Sequence, residues 1–266
     1  MKIGILDSGI GGLSVLHRAA ERLPDAEFIY YADTENVPYG EKPREEILKF
    51  VEHIMEFMVA RSVDAVVVAC NTATSVAIAD IRQKYTFPII GMEPAVKKAR
   101  EEFPEGRTLV LATPVTVQGK KMKYLLERVD GDHMVDMIPT PKLVRMAEDE
   151  IFDGPMVEEY LNEQFKNFDS TDYSALVLGC THFNYFKETL RRMVPDHIHL
   201  VDGIEGTVCQ LVRKLGEIGL SAPEPTDPKA FAGNISYFFS GREANEADLA
   251  AVRKYLEVLD RVKSIN

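Results

Sequence analysis

The chain has 266 residues, of which 45% are apolar and 27% are charged, a composition typical of a folded globular protein rather than a disordered one. Its formal net charge of −11 argues against a general binder of nucleic acid or of anionic membranes. The three dispersed cysteines, Cys70, Cys180 and Cys209, fit neither a disulfide framework nor a zinc site. Free thiols, with no signal-peptide pattern and no membrane-length apolar run, predict a cytoplasmic protein.

The first third of the chain alternates between short apolar runs and amphipathic helical patterns. Strands are predicted at 2–6, 28–32, 65–69 and 88–91, and helices up to about 23, at 44–61 and at 72–85. Strands that alternate with helices in this way predict a parallel sheet covered by helices.

The alternation then begins again. Strands are predicted at 108–112, 133–138 and 176–179, and helical stretches up to about 127 and at 143–152, 157–168 and 183–193. The tail adds strands at 199–201 and 236–240, helices at 206–215 and 244–262, and a loop rich in proline and serine at 221–228. We therefore expect an α/β protein of two similar lobes with mostly parallel sheets. The first lobe comprises 1–93 plus 203–266, the second comprises 94–202, and the active site lies in the cleft between them.

Two of the cysteines follow buried strands in near-matching contexts. Cys70 ends the run 66–69 and precedes Asn71 and Thr72, whereas Cys180 ends the run 176–179 and precedes Thr181 and His182. A thiol between a strand and a helix lies near unpaired backbone N–H groups and the positive end of the helix dipole, which stabilise a thiolate. We predict that both thiols are functional, with His182 as a partner of Cys180. Cys209 falls inside a helical pattern and is expected to be a packing residue.

A glycine-rich turn, Asp7-Ser8-Gly9-Ile10-Gly11-Gly12, follows the first strand. Such a turn at the start of a helix can bind an anion. It is not a P-loop, because no Gly-Lys-Ser/Thr follows, and its glycine spacing does not fit a dinucleotide site. A tight turn alone would explain the glycines, but not an Asp-Ser pair at the carboxyl end of the strand.

Two thiols supplied by two lobes fit a two-base mechanism. One cysteine, as thiolate, would take a proton from a substrate carbon while the other returns a proton to the opposite face, which inverts the stereocentre. A cysteine hydrolase with one nucleophile, a histidine and an acid is the competing chemistry, and it leaves the second cysteine unexplained.

Four segments together resemble those of the bacterial glutamate racemases, in the aspartate/glutamate racemase superfamily. They are Asp7-Ser8-Gly9-Ile10-Gly11-Gly12, Pro38-Tyr39-Gly40, Ala69-Cys70-Asn71-Thr72-Ala73 and Gly179-Cys180-Thr181-His182-Phe183. The resemblance implies an isomerase without cofactor, PLP or metal that interconverts L- and D-glutamate and supplies D-glutamate for peptidoglycan and hence for cell wall and cell shape. It also implies two similar lobes and commonly a homodimer, with glutamate rather than nucleic acid or a membrane as the partner.

The same resemblance implies roles for individual residues. Cys70 would act on D-glutamate with the help of Asp7, and Cys180 on L-glutamate with the help of His182. The positions implied for substrate binding are Ser8, Pro38, Tyr39, Gly40, Asn71, Thr72, Thr113, Thr116 and Thr181. Asp33 and Glu148 would be supporting acids.

The chain departs from the family pattern at two places. The segment 140–148 keeps only the proline, part of the apolar run and Glu148, so Glu150 is an alternative to Glu148. Gly119 stands where a serine is usual.

Two other readings stay open from sequence. An aspartate racemase or a maleate-type isomerase of the same superfamily would keep both cysteines but bind a shorter diacid. A non-catalytic amino-acid-binding protein would have no need of either thiol.

Overall fold

The computed structural model describes residues 1–92, 94–220, 223–225, 227 and 230–265. The predicted lobe boundary at Glu93 and parts of the loop 221–228 lie outside these residues. The strands are β1 (Lys2–Asp7), β2 (Glu27–Ala32), β3 (Ala65–Val68), β4 (Ile89–Gly91), β5 (Arg107–Ala112), β6 (Val135–Pro139), β7 (Tyr173–Leu178), β8 (His199–Val201), β9 (Asn234–Phe239) and β10 (Arg242–Glu243). The helices are α1 (Leu13–Arg22), α2 (Arg44–Ala60), α3 (Asn71–Lys84), α4 (Val96–Glu102), α5 (Pro114–Gln118), α6 (Lys120–Val129), α7 (Pro141–Glu148), α8 (Pro155–Phe165), α9 (Lys187–Met193), α10 (Ile204–Glu217) and α11 (Glu246–Val262).

The strands form two sheets, which confirms the predicted α/β class with mostly parallel sheets. The first has the order β10-β9-β2-β1-β3-β4, and the second has the order β6-β5-β7-β8. Every neighbouring pair is parallel except β9 and β10. Because strands of a parallel sheet all point the same way, the loops that follow β1, β3, β5 and β7 lie at the carboxyl edges of the sheets, where α/β proteins place their ligands.

Sequence periodicity explains how the helices cover these sheets. In α2, Ile47, Val51, Ile54 and Met58 recur every three or four residues, and all four are buried against the first sheet, while the other face carries charges. The strand β3 is an uninterrupted buried run because both of its faces are covered. Burial of each such side chain contributes about 1.5–3 kcal/mol to folding.

The largest apolar cluster extends from one sheet to the other. It includes Leu16 of α1, Tyr30 of β2, Leu178 of β7, Phe183 after β7 and Tyr255 of α11. The helices α1 and α11 therefore fix the relative position of the two sheets behind the cleft, because interiors packed at crystal-like density resist deformation.

The predicted helix that ends near 127 is divided into α5 and α6 at Gly119. The backbone of Gly119 is extended, and a Cβ atom there would lie 2.6 Å from Ser75 Oγ. The close approach of α3 explains glycine at this position, although helical periodicity continues across it.

The predicted helix at 143–152 ends earlier, at Glu148. Glu150 has a φ of 58°, and the N–H of Ile151 donates to the carbonyl of Met146 at 2.8 Å. This left-handed residue followed by a backward hydrogen bond is a Schellman ending, which brings the apolar Ile151 back against the core. The helix therefore stops with Glu148 in its last turn.

The predicted helix at 183–193 starts differently from the helix after Cys70. A 3₁₀ segment, Thr181–Phe186, comes first, and α9 follows it. Phe183, Tyr185 and Phe186 of this segment are all buried in the shared core, and packing rather than helix propensity decides its shape. Helix α4 was not predicted from the sequence.

Candidate active site

The carboxyl edges of the two sheets bring the predicted site residues together. Asp7 is the last residue of β1 and Ser8 follows it. Cys70 follows β3, Thr113 follows β5 and Cys180 comes after β7. All five side chains are buried, and each of the two cysteines is only 5% exposed.

Cys70 caps the start of α3. Its Sγ accepts a hydrogen bond from the N–H of Ala73 at 3.4 Å and lies 3.6 Å from Ser8 Oγ. Burial raises the pKa of the Cys70 thiol to about 12, and the negative charge of Asp7 adds to the rise. The helix N-terminus lowers this pKa but does not outweigh burial, so Cys70 without substrate holds its proton at neutral pH.

Cys180 has a different environment, although its sequence context resembles that of Cys70. Its Sγ lies 3.7 Å from Nδ1 of His182 and does not cap the following segment. Nε2 of His182 lies 2.6 Å from Oε1 of Glu148, and that oxygen also accepts from the N–H of Ile10 at 2.9 Å. Burial lowers the pKa of His182, but its hydrogen bonds to Cys180 and Glu148 outweigh burial and keep the pKa well above its usual value. A protonated imidazole can donate from Nδ1 to Cys180 Sγ and from Nε2 to Glu148 at the same time.

Asp7 is fully buried between the two thiol loops. Its carboxylate accepts from the N–H of Gly9 at 3.1 Å and from Thr181 Oγ1 at 3.3 Å. Burial raises its pKa to about 6, even though the positive charge of His182 opposes the rise. A carboxyl group that titrates close to neutrality can exchange protons with a neighbouring thiol.

We expect Asp7→Asn to stabilise the fold at pH 7. The carboxyl pKa is about 6 in the folded chain and about 4 when unfolded, so folding stability falls as pH rises through this window. Removing the buried charge should raise the free energy of unfolding by about 2 kcal/mol at pH 7, after allowing for a weakened hydrogen bond. Urea unfolding at pH 7 and pH 4 measures this.

The control for this prediction is Asp25→Asn, which changes an exposed carboxylate. It should leave stability within about 0.5 kcal/mol at both pH values. A gain in Asp7→Asn that is as large at pH 4 as at pH 7 would contradict the assignment of the effect to ionisation.

Three threonine hydroxyls form a cluster between the two sheets. Thr72 Oγ1 lies 2.8 Å from Thr113 Oγ1 and 3.4 Å from Thr116 Oγ1, and Thr113 donates to Thr116 at 3.0 Å. Gly40 packs directly on this cluster, because a Cβ atom there would lie 2.5 Å from that of Thr113. These groups supply neutral hydroxyl donors from both sheets at one point.

Asn71 is the first residue of α3 and is 2% exposed. Neither its amide oxygen nor its amide nitrogen has a hydrogen-bond partner among the described residues. A buried polar group without a partner costs about 1–3 kcal/mol, so it calls for a functional explanation. An amide that can both donate and accept is suited to a polar ligand.

The Pro38-Tyr39-Gly40 loop is held by Asp33 rather than by the thiols. Tyr39 is buried, and its hydroxyl donates to Asp33 Oδ2 at 2.6 Å. Asp33 also accepts from Asn36 and from Ser240. Asp33 therefore fixes the loop that carries Gly40 and does not itself contact either cysteine.

The two glutamates that the sequence offered as alternatives, Glu148 and Glu150, have different partners in the structure. Glu148 contacts His182 in the site, whereas Glu150 pairs with Lys254 at the surface.

The prediction that Cys209 is a packing residue is wrong: its side chain is exposed and its thiol donates to Glu205. Cys209 lies on the outer face of α10, whereas Val208, Leu211 and Leu215 face the core. Being inside a helical pattern does not by itself show which face a residue occupies.

Two tyrosines next to the site were not predicted from the sequence. The Tyr30 hydroxyl donates to the carbonyl of Gly9 at 2.7 Å, and the Tyr185 hydroxyl donates to that of Ile10 at 2.9 Å. For Tyr30 the sequence did offer an indication. A tyrosine within the buried run of β2 must find a hydrogen-bond partner for its hydroxyl nearby.

One group of metal-type ligands was found among the described residues, and it lies outside this site. His17 and Glu21 of α1 approach Asp260 of α11, but the ammonium of Lys263 lies 3.2 Å from Glu21 and 3.4 Å from Asp260. The Lys263 ammonium therefore already supplies the positive charge that a cation would bring to this cluster.

Among the described residues, no helix has the length and apolar composition to cross a bilayer.

Comparison with known proteins gives consistent results. A family model described as Asp/Glu/Hydantoin racemase matches residues 7–211. The glutamate racemase of Campylobacter curvus is 49% identical over the full length of both chains. The crystal structure of glutamate racemase from Campylobacter jejuni is 30% identical, with a TM-score of 0.79 over 97% of this chain and 98% of that one. An Escherichia coli glutamate racemase structure with L-glutamate and the activator UDP-MurNAc-Ala is 30% identical, with a TM-score of 0.76 over 85% and 86%.

Proposed function

Because the chain belongs to the Asp/Glu/hydantoin racemase family, we propose that it interconverts L- and D-glutamate with Cys70 and Cys180 as the two bases. The family resemblance inferred from the four sequence segments is thereby confirmed. The observation that carries the two-base proposal is the pair of buried cysteines, one at the carboxyl edge of each sheet, with the buried Asp7 between their loops.

The two thiols enter the reaction in different protonation states. Cys180 lies beside the protonated His182 and acts first as the thiolate that takes the Cα proton of L-glutamate, while Cys70 gives its proton to the opposite face. In the reverse direction Cys70 must be the thiolate and Cys180 the thiol, so one proton has to pass from Cys70 to Cys180 before D-glutamate reacts. The Asp7 carboxyl, whose pKa is about 6 and which accepts from Thr181 beside Cys180, is placed to carry this proton. This proposal keeps the roles that the sequence resemblance implies, Cys180 for the L- and Cys70 for the D-enantiomer.

The groups around the thiols match the chemistry of glutamate. Its two carboxylates are bound by neutral donors: the hydroxyls of Ser8, Thr72 and Thr181, the amide of Asn71 and backbone N–H groups at helix starts. Its ammonium group is bound by a hydroxyl or by the carboxylate of Asp7. The ammonium group of the substrate itself makes the Cα proton more acidic. A cationic side chain at the carboxylates would stabilise the substrate as strongly as the transition state and so would not speed the reaction, and neutral donors avoid this.

Substrate must enter by separation of the elements over the site, because both cysteines are almost fully buried. Two contacts join these elements. Gly40 packs on Thr113, and next to it Glu41 pairs with Arg145 of α7. Both contacts connect a loop of the first sheet with an element of the second, so a path that opens at this point must break both of them.

The proposal extends to the setting of the enzyme. D-Glutamate formed in this way supplies peptidoglycan synthesis in the cytoplasm, the reaction uses no cofactor, and the enzyme works as a homodimer of subunits with lobes at 1–93 plus 203–266 and 94–202. The family relationship supports this setting, and the membership of β9 in the first sheet supports the division into lobes.

Incubation of the protein with L-glutamate in D₂O, without added cofactor, tests the proposal. We expect D-glutamate deuterated at Cα, because the proton added to the opposite face comes from a thiol that has exchanged with solvent. The rate should show a bell-shaped pH dependence, since one thiol must be ionised and the other protonated. L-Aspartate serves as the competing substrate.

Three outcomes are decisive. Loss of the Cα hydrogen from aspartate but not glutamate would identify an aspartate racemase. No exchange with either amino acid, together with measurable binding, would identify a binding protein. A pH-independent rate would contradict the two-base mechanism.

A further inference from the structure

A single peptide group connects Tyr30, in the first sheet, to the machinery of Cys180, in the second. The carbonyl of this group belongs to Gly9 and accepts from the Tyr30 hydroxyl at 2.7 Å. Its N–H belongs to Ile10 and donates to Glu148 Oε1 at 2.9 Å. The two ends of one rigid peptide plane are thus bound by two side chains, one from β2 of the first sheet and one from α7, which follows β6 of the second sheet.

The same oxygen of Glu148 also binds His182. Oε1 lies 2.6 Å from Nε2 of His182, and Nδ1 of that ring lies 3.7 Å from Cys180 Sγ. The hydrogen bonds therefore run without interruption from Tyr30 through the 9–10 peptide, Glu148 and His182 to the thiol. Ile10 and His182 both donate to this one oxygen, so the bond from Ile10 fixes the position at which His182 meets the carboxylate.

We propose that Tyr30 is a positioning residue for Cys180, which acts by fixing the orientation of the 9–10 peptide and through it the Glu148–His182 pair. This inference rests on the proposed racemase function for its kinetic consequence, but not for its structural one. It assigns a role in the reaction to a residue of β2 that contacts neither cysteine.

The surroundings of Tyr30 suit this role. Its side chain is fully buried, and burial together with the negative charge of Asp7 raises its pKa well above the usual value. The hydroxyl therefore remains a donor at every working pH, as a carbonyl partner requires. Glycine at position 9 leaves the backbone free to rotate on that side, so the peptide needs an external contact to hold its direction.

Tyr30→Phe tests the proposal with the smallest change, because only the hydroxyl is removed. We expect kcat to fall about tenfold in both directions, while KM for glutamate stays within about twofold, since the groups that bind substrate are untouched. The ratio kcat/KM must fall equally in the two directions, because the enantiomers have equal free energies.

A second measurement does not depend on the substrate. The Nε2 proton of His182, in a short hydrogen bond to a carboxylate, should give a strongly downfield resonance in the ¹H NMR spectrum of the wild-type protein. In Tyr30→Phe this resonance should move upfield or broaden. If the wild type shows no racemisation but the resonance responds as stated, the proposed function is wrong and the positioning role stands.

Two controls separate positioning from general loss of packing. Tyr237 lies edge-on to Tyr30, with ring centroids 6.2 Å apart, and Tyr237→Phe should leave kcat and the resonance unchanged. Tyr185→Phe removes a buried hydroxyl from the next carbonyl, that of Ile10, which keeps its bond from the N–H of Leu13 at 3.1 Å. We expect a loss of kcat below twofold for that variant. An equal loss in Tyr185→Phe and Tyr30→Phe, or an unchanged His182 resonance in Tyr30→Phe, would overturn the proposal.

Discussion

Replacing either Cys70 or Cys180 with alanine is expected to lower the rate of glutamate racemisation by at least about 10³-fold. Each alanine removes the only thiol on one face of the substrate carbon. Without Cys180 the proton of L-glutamate has no base next to it, and without Cys70 the carbanion has no acid on the opposite side. The assay follows the formation of D-glutamate from L-glutamate and the reverse reaction.

Cys209→Ala is the matched control, because it makes the same change at an exposed thiol of α10. It should leave the rate unchanged within error. Thermal unfolding of all three variants shows whether any loss reflects misfolding: we expect only a modest loss in Cys70→Ala, whose Sγ accepts from the Ala73 N–H.

The pattern across the two variants distinguishes between mechanisms. Inactivation by both substitutions fits two opposed bases, whereas a hydrolase-like mechanism with one nucleophile predicts that one substitution inactivates the enzyme and the other has little effect. Racemisation above about one tenth of the wild-type rate in either variant would falsify the two-base assignment.

Much of this site could be predicted because it depends on local rules. A parallel sheet sends the residue after each strand to one edge, so Asp7, Cys70, Thr113 and Cys180 were expected to meet once the strands were recognised. The two sheets and their covering helices follow from the same alternation. The family resemblance then supplied roles for residues that strand patterns alone would leave as ordinary loop positions.

What could not be predicted depends on contacts between distant segments. Glu148 and Glu150 are equivalent in sequence, and only the Schellman ending of α7 directs the first into the site and leaves the second at the surface. The two cysteine loops look alike, yet three buried aromatics after Cys180 impose a 3₁₀ turn that removes its capping bond. Periodicity does not report which carbonyl a buried hydroxyl such as that of Tyr30 will reach.

Gly9→Ala should abolish most activity while leaving the protein folded, because of one steric contact. A Cβ atom at Gly9 would lie 1.8 Å from Oε1 and 2.8 Å from the carboxyl carbon of Glu148, distances that no structure tolerates. Gly9 is held on both sides, because its N–H donates to Asp7 and its carbonyl accepts from Tyr30. The end of the Glu148 side chain is the more mobile partner, so its carboxylate must move and lose its bond to His182. Displacement of a catalytic support by about 1 Å costs about 10²-fold in rate.

Gly206→Ala is the matched control, because it makes the same glycine-to-alanine change where there is space for a methyl group. Gly206 lies in α10, and a Cβ atom there meets nothing within 4 Å. This variant should keep wild-type kcat and gain about 0.5–1 kcal/mol in stability, since alanine is the better helix former. Full activity in Gly9→Ala, measured beside it at equal folded fraction, would mean that Glu148 does not need to remain at His182 for the reaction. In that case the asymmetry between the two thiols would rest on His182 and Asp7 alone.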